Sequence, residues 1–130
     1  ETVKRYGLDD RIHFPGFVTD EDLPALYSLA SVFAFPSWYE GFGLPVLEAM
    51  ACGTPVVAAD NSSLPEVVGR SGLMVDASDR DQLVAALSRL LTDHDLRTAL
   101  VSAGRVHAAQ FTWTKAAEDL LGLYKRFAVH

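Results

Sequence analysis

The sequence predicts an α/β fold built around a parallel β-sheet. Three short runs of β-branched or aromatic residues, at positions 12–14, 32–35 and 55–59, are each followed by a turn signal and then by a helical pattern. Alternation of strands and helices is typical of parallel sheets, because each crossover helix returns the chain to the same end of the sheet. The chain has 130 residues, of which 49% are hydrophobic, so a single domain with one core is expected.

A helix is predicted between the first two runs. Thr19 or Asp20 can cap it, since both side chains accept hydrogen bonds from first-turn amides. Pro24 fits the first turn, where amides have no intrahelical partner. The apolar residues of this segment repeat at i, i+3, i+4 and i+7, namely Leu23, Leu26, Tyr27 and Ala30.

The second run leads into a polar, glycine-containing loop at residues 37–43. Pro45 then stands where the first residue of a helix is expected, and Gly53 where that helix ends. The apolar residues of this helix are Val46, Leu47, Ala49 and Met50.

A fourth short strand at residues 73–75 precedes three helices. The first is capped by Asp79, the second runs from about residue 95 to residue 109, and the third begins near Trp113. We expect the apolar stripes of these helices to face the core. The first and third stripes consist of Leu83, Leu87, Leu90 and Leu91, and of Trp113, Ala117, Leu120, Leu121 and Tyr124.

Charge and composition exclude several classes of protein. The formal net charge is −6 and the 11 basic residues are scattered, whereas nucleic acids and anionic membranes require clustered Lys and Arg. The longest apolar stretch, residues 44–59, is interrupted by Glu48 and Gly53 and is shorter than the ~20 residues that span a bilayer. Cys52 is the single cysteine, which fits a reducing compartment. We expect a cytoplasmic protein, or one held peripherally at the inner face of a membrane.

No metal site is predicted. The Asp-x-Asp patterns at residues 20–22, 79–81 and 93–95 fall at predicted helix starts, where acidic residues are favoured by the helix dipole. Cys52 ends an apolar helix, a position typical of packing rather than reactivity. The histidines share no ligand spacing; they are His13, His94, His107 and His130.

The loop and the helix after it carry the residues with chemical potential. Gly41 and Gly43 can adopt positive φ and approach a ligand closely, immediately before a helix start. Free amides and the helix dipole at that point favour an anion such as a phosphate. Glu48 lies about one turn into the helix and can reach back toward the same place, so Glu40 and Glu48 flank the turn. Carboxylates beside a bound phosphate are repelled unless they accept hydrogen bonds from hydroxyl groups, and a sugar nucleotide offers hydroxyl groups on both hexose and ribose.

The motif in residues 36–57 resembles the signature of the large retaining family of GT-B glycosyltransferases. It contains two glutamates separated by seven residues, Glu40 and Glu48. Glu40 begins the segment Glu-Gly-Phe-Gly-Leu-Pro, Glu48 begins Glu-Ala-Met-Ala, and Gly-Thr-Pro-Val-Val follows. The likeness extends outward through residues 14–18, 26–27, 65–67 and 111–113, so it covers nearly the whole chain. The resemblance implies a Rossmann-like C-terminal domain of the GT-B fold, incomplete on its N-terminal side, with C-terminal helices.

The resemblance also implies a role for each site residue. Glu40 would bind hexose hydroxyls next to the reacting carbon as the catalytic residue, Glu48 would bind the ribose diol, and Val18 would shelter the base. Amides of the turn would bind phosphate and sugar; these belong to Gly41, Phe42, Gly43 and Leu44. The donor would be a GDP- or UDP-linked sugar used as substrate, with no cofactor and no metal. The acceptor, a saccharide or lipid, would bind an N-terminal domain.

Two readings stay open at this point. The first is the donor-binding part of a hexosyltransferase, which we expect to be inactive alone. The resemblance places the family's basic pair and acceptor domain upstream of these residues, and no Lys or Arg occurs between Ser31 and Gly69. The second is a free-standing nucleotide-sugar-binding or interaction module without catalysis; an epimerase or phosphorylase of the same fold is a related alternative. With the Rossmann order 3-2-1-4-5-6, residues 32–35 would form an exposed strand edge through which the chain could self-associate, and residues 12–14 would lack a partner.

Overall fold

The computed structural model describes residues 1–127, so His130 lies outside the described part. Seven helices and three strands alternate along these residues. The helices are α1 (Thr2–Arg5), α2 (Leu23–Leu29), α3 (Leu44–Ala51), α4 (Leu64–Val68), α5 (Arg80–Thr92), α6 (His94–Ala108) and α7 (Trp113–Phe127). The strands are β1 (Phe33–Phe35), β2 (Val56–Ala59) and β3 (Leu73–Val75).

The three strands form one parallel sheet in the order β1-β2-β3. Phe33 is paired with Val56, and Val57 with Leu73. The predicted α/β fold with a parallel sheet is therefore confirmed. Because the strands are parallel, the loops that follow β1, β2 and β3 leave from the same end of the sheet, which is called the carboxyl edge below.

The core consists of two clusters on opposite faces of the sheet. Successive residues of a strand point to opposite faces, and Val56 and Val57 accordingly belong to different clusters. The larger cluster joins β2 to the buried sides of α3 and α4, with Tyr27 of α2. The smaller cluster joins Val57 and Val75 to Leu90 of α5. Helix α6 packs against both α3 and α5, so it closes one side of the domain.

The predicted strand at residues 12–14 is wrong. This segment has no strand structure and pairs with none of β1, β2 and β3. Ile12 is 37% exposed and Phe14 80% exposed, so its apolar residues are not in the core. A strand requires a neighbouring strand to satisfy its amides and carbonyls. In the order 3-2-1-4-5-6, residues 12–14 would be strand 3, and strand 3 is adjacent to none of the strands that correspond to β1, β2 and β3.

The predicted starts of two helices needed small corrections. The N-cap position of helix α2 is Asp22 rather than Thr19 or Asp20, and the Asp22 side chain caps no amide. In the turn before the helix, the Thr19 hydroxyl accepts a hydrogen bond from the Asp22 amide at 3.3 Å and donates one to the Asp22 carboxylate at 3.0 Å. Helix α6 begins at His94, and the Asp93 carboxylate accepts a hydrogen bond from the amide of Leu96. The cap at Asp79 is confirmed.

The apolar stripe of α7 does not face the core, contrary to expectation. No residue of this helix is buried, and Trp113 is 86% exposed. Amphipathic periodicity shows which residues share a helix face, but it does not show what covers that face. In α5 the stripe is only partly covered, since Leu90 is buried and Leu91 is 55% exposed.

Within residues 1–127, every helix is too short or too polar to cross a lipid bilayer.

Candidate functional site

The loop between β1 and α3 lies at the carboxyl edge and is held by the segment that follows β2. The side-chain amide of Asn61 donates to the carbonyl of Ser37 at 3.0 Å, which fixes the start of the loop. The amide of Glu40 donates to the Ser62 hydroxyl at 3.1 Å. Ser62 adopts a φ of 48°, the one positive φ of a non-glycine residue among residues 1–127. Such a conformation persists only where surrounding contacts hold it, as the bond from Glu40 does here.

Ser63 fixes the end of the same loop. Its hydroxyl lies 3.0 Å from the carbonyl oxygen of Glu40 and 2.9 Å from that of Phe42, and it shares its one proton between them. Three consecutive polar residues after β2 thus set the path of the loop that carries Glu40. Sequence reasoning missed this contribution, because these bonds join residues 21 to 24 positions apart.

The Glu40 side chain is half-buried and is itself positioned. The Ser37 hydroxyl donates to Glu40 Oε1 at 2.8 Å. A carboxylate has about four acceptor sites, so most of the capacity of Glu40 is free for other donors. Its backbone and side chain are therefore both fixed while the carboxylate can still accept hydrogen bonds.

The two glycines of the turn play different parts. Gly43 has a φ of 103°, as predicted, and a Cβ there would lie 2.7 Å from Cδ2 of Leu64. Gly41 does not have a positive φ, so that expectation is wrong. A Cβ at Gly41 would meet nothing within 4 Å, so its lack of a side chain leaves open space beside the loop.

The amides at the start of α3 are suited to bind an anion. Gly43 is the N-cap residue and no side chain caps the helix. Among residues 1–127, the four consecutive amides of Gly41, Phe42, Gly43 and Leu44 have no hydrogen-bond acceptor. Exposed amides at the positive end of a helix are suited to bind a phosphate or a carboxylate.

Glu48 is the fifth residue of α3 and its side chain is exposed. The hydroxyl of Tyr27 donates to Glu48 Oε2 at 3.1 Å. Burial, and then the hydrogen bond to Glu48, raise the pKa of Tyr27 to about 12, so the phenol stays protonated at neutral pH. The periodicity of α2 placed Tyr27 among its apolar repeat positions, and the residue is buried, but the pattern gave no sign of the bond to Glu48.

The ring of Phe42 packs against the segment that follows α6. It packs edge-on against Phe111 with ring centroids 6.0 Å apart, and Phe111 packs in the same way against His107 at 5.2 Å. His107 in turn lies 3.0 Å from the carbonyl of Val67 through Nε2. The resemblance assigned Phe42 a role through its amide alone; in the structure its ring also contacts Phe111.

Val18 is not brought into this network. It is half-buried in the segment before α2, which has no regular secondary structure, and none of the contacts described for the loop reaches it. Among residues 1–127, no cationic side chain is paired with Glu40 or Glu48. In the described part of the chain the ion pairs are Arg80 with Asp81 and Lys115 with Asp119.

An open cavity of about 380 Å³ lies beside the loop, at the carboxyl ends of β2 and β3. Its polar lining comes from Asp60, Asn61, Asp76 and Gln82, with Trp38 of the loop at its rim. The sequence gave no signal for this cavity because its walls come from three separate segments. Residues 1–127 contain no group of three or more His, Cys, Asp or Glu side chains arranged to hold a metal ion.

Comparison with known proteins gives a consistent result. The family model "Glycosyl transferases group 1" matches residues 1–107. O-antigen chain mannosyltransferase B of Escherichia coli is 44% identical over 125 residues, which cover 96% of this chain and 33% of the enzyme. D-inositol 3-phosphate glycosyltransferase of Salinispora arenicola is 44% identical over 126 residues, covering 95% of this chain and 28% of that protein. The chain therefore spans about a third of the length of the relatives that it matches.

Solved structures show the same fold. Sucrose-phosphate synthase from Thermosynechococcus elongatus superposes with a TM-score of 0.86 at 39% identity, over 96% of this chain and 32% of that one. HepE from Anabaena, determined in complex with UDP and glucose, has a TM-score of 0.85 at 25% identity, over 96% of this chain and 35% of that one. The parallel sheet and its helices match the C-terminal domains of GT-B glycosyltransferases, and the chain belongs to the group 1 family of glycosyl transferases.

Proposed function

We propose that residues 1–130 form part of the C-terminal donor-binding domain of a retaining GT-B glycosyltransferase. The enzyme would transfer a hexosyl group from a GDP- or UDP-linked sugar to a saccharide or lipid acceptor. The observation that carries this proposal is the row of four unpaired amides at the start of α3, which lies between Glu40 and Glu48 in the chain. This arrangement suits a ligand with phosphate at its centre and hydroxyl groups at both ends.

Each site residue has a role in the proposal. Glu40 binds hexose hydroxyls beside the reacting carbon, and Glu48 binds the ribose diol. The amides of Gly41 to Leu44 bind the phosphates, and Val18 contacts the base. Solved structures of HepE with UDP, at 26% identity, support a nucleotide ligand for this fold. No residue is assigned to a metal or a cofactor.

Nucleotide-sugar binding can be tested on the full-length enzyme that contains this chain. GDP- and UDP-sugars should each be screened for an increase in the melting temperature. A ligand at 100 times its Kd should stabilise the folded state by about 2.7 kcal/mol. Glu21→Ala, which removes an exposed acidic residue before α2, should retain the shift, whereas Glu48→Ala should reduce it. The absence of stabilisation by every nucleotide and nucleotide sugar would exclude the proposal.

We further propose that residues 1–130, expressed alone, self-associate through β1. In the described residues β1 pairs with β2 only. The amide of Phe33 bonds to the carbonyl of Pro55, so the amide of the next residue, Ala34, points to the unpaired side. An open apolar edge is a template for another strand. Sedimentation at micromolar concentration should show dimers or larger species.

Ala34→Pro provides the control for this prediction. It removes the amide that faces the open edge and should return the chain to a monomer. A wild-type chain that sediments as a monomer, or an Ala34→Pro variant that associates as wild type does, would contradict pairing through β1.

A further inference from the structure

Tyr27 connects the core to Glu48 through a single hydroxyl group. The residue is 8% exposed, and its phenol oxygen lies 3.1 Å from Glu48 Oε2. The ring packs edge-on against Phe33 of β1, with centroids 5.3 Å apart and planes at 85°. Its backbone carbonyl accepts a hydrogen bond from the buried hydroxyl of Thr54. The ring and the backbone of Tyr27 are thus each held by a different part of the fold, independently of Glu48.

Glu48 lacks such fixation of its own. Its side chain is exposed on α3, and in the described part of the chain its carboxylate has Tyr27 as its hydrogen-bond partner. An exposed glutamate otherwise samples several rotamers, and ordering such a long side chain on binding a ligand costs conformational entropy. A buried, fixed donor reduces that cost because it orders the carboxylate before the ligand arrives.

We propose that Tyr27 is a positioning residue, whose hydroxyl orients the Glu48 carboxylate to accept hydrogen bonds from the vicinal diol of a nucleotide ribose. This inference rests on the proposed function of Glu48. The geometry leaves room for the ligand, because the phenol uses one of about four acceptor sites of the carboxylate.

The protonation state of the phenol is suited to this role. Burial and the neighbouring carboxylate raise the pKa of Tyr27 to about 12. The hydroxyl therefore remains a donor throughout the neutral range.

The test uses Tyr27→Phe in the full-length enzyme, since this change keeps the ring and removes only the hydroxyl. Calorimetry should measure Kd for UDP and GDP and for their 2′-deoxy counterparts. Of UDP and GDP, the nucleotide that wild type binds more tightly should bind to the variant roughly 3- to 10-fold more weakly, because one hydrogen bond is lost. Binding of the 2′-deoxy nucleotide should change much less, so the preference for ribose should shrink. The KM for the donor should rise while kcat stays within about twofold.

Three comparisons make the result decisive. Tyr6→Phe removes the hydroxyl of an exposed tyrosine and should behave as wild type. In a Glu48→Gln background, Tyr27→Phe should cause little further loss of ribose preference. The 2′-deoxy nucleotide serves as an internal reference if Tyr27→Phe lowers the melting temperature.

The outcomes separate the two proposals. In one contrary outcome, wild type prefers the ribonucleotide while Tyr27→Phe weakens the binding of the ribonucleotide and of the 2′-deoxy nucleotide by the same factor. In another, Tyr27→Phe changes the binding of neither. In both cases Tyr27 has only a structural role and the inference is overturned. If wild type itself does not distinguish ribose from deoxyribose, the role proposed for Glu48 fails, and the inference about Tyr27 fails with it.

Discussion

In the intact enzyme, Glu40→Ala should mainly lower kcat, whereas Glu48→Ala should mainly raise the KM for the donor. The two residues are proposed to bind different hydroxyl groups, one set next to the reacting carbon and one remote from it. Only an interaction that strengthens in the transition state increases the rate of the chemical step. The loss of a hydrogen bond to a charged group costs about 1.5–3 kcal/mol, which corresponds to roughly 10- to 150-fold in the affected parameter.

The structure supports this division of roles. The Glu40 carboxylate is half-buried, accepts a bond from Ser37, and sits on a loop fixed by Asn61, Ser62 and Ser63. A group held in this way can meet a reacting centre in one orientation, which is what a contribution to turnover requires. Glu48 is exposed and ordered through a single phenol, as suits a group that binds the donor away from the reaction.

Steady-state kinetics with varied donor concentration would measure both effects. Glu21→Ala provides a matched control, since it removes an acidic side chain outside the site. Equal changes in kcat and in KM for both variants would refute the assignment. If Glu48→Ala lowered kcat and left the KM for the donor unchanged, the role proposed for Glu48 in donor binding would be contradicted.

The sequence predicted the parts of the fold that depend on local signals. The loop glycine Gly43, the cap at Asp79 and the stop at Gly53 each reflect backbone chemistry that a short segment determines by itself. Strand β2 was equally clear, because a fully buried parallel strand is a nearly continuous apolar run. These signals were sufficient to place the loop with Glu40 between a strand and the helix that begins near Pro45.

The missed features are long-range. The bond from Tyr27 to Glu48 joins residues 21 positions apart, and the bonds from residues 61–63 to the loop have similar separations. Such pairs produce no periodic pattern in the sequence. Each partner is also typical of a local role, Tyr27 as an aromatic residue of a helix face and Ser62 and Ser63 as serines of a turn. The stripe of α7 and residues 12–14 were misread for a different reason: their patterns indicate burial, but in the described part of the chain these residues are largely exposed.

Residues 1–130 expressed alone should transfer no sugar from any donor. Cleavage of the donor bond places negative charge on the leaving diphosphate, and its stabilisation by cations or amides is commonly a large part of catalysis. The site provides amides, but no Lys or Arg occurs between Ser31 and Gly69, and neither ion pair of the described residues lies at the loop. The relatives are about three times as long as this chain, which fits the proposal that the acceptor binds elsewhere in the enzyme.

The measurement is transfer and donor hydrolysis by the purified chain, with GDP- and UDP-linked hexoses and with saccharide and lipid acceptors. Removal of charge stabilisation or of acceptor orientation costs several kcal/mol each, so roughly a 10³-fold loss from either is expected, and the two together should leave no detectable rate. The Glu40→Ala chain sets the background from contaminating enzymes. Turnover above that background would show that amides and two carboxylates suffice for catalysis, and would contradict this prediction.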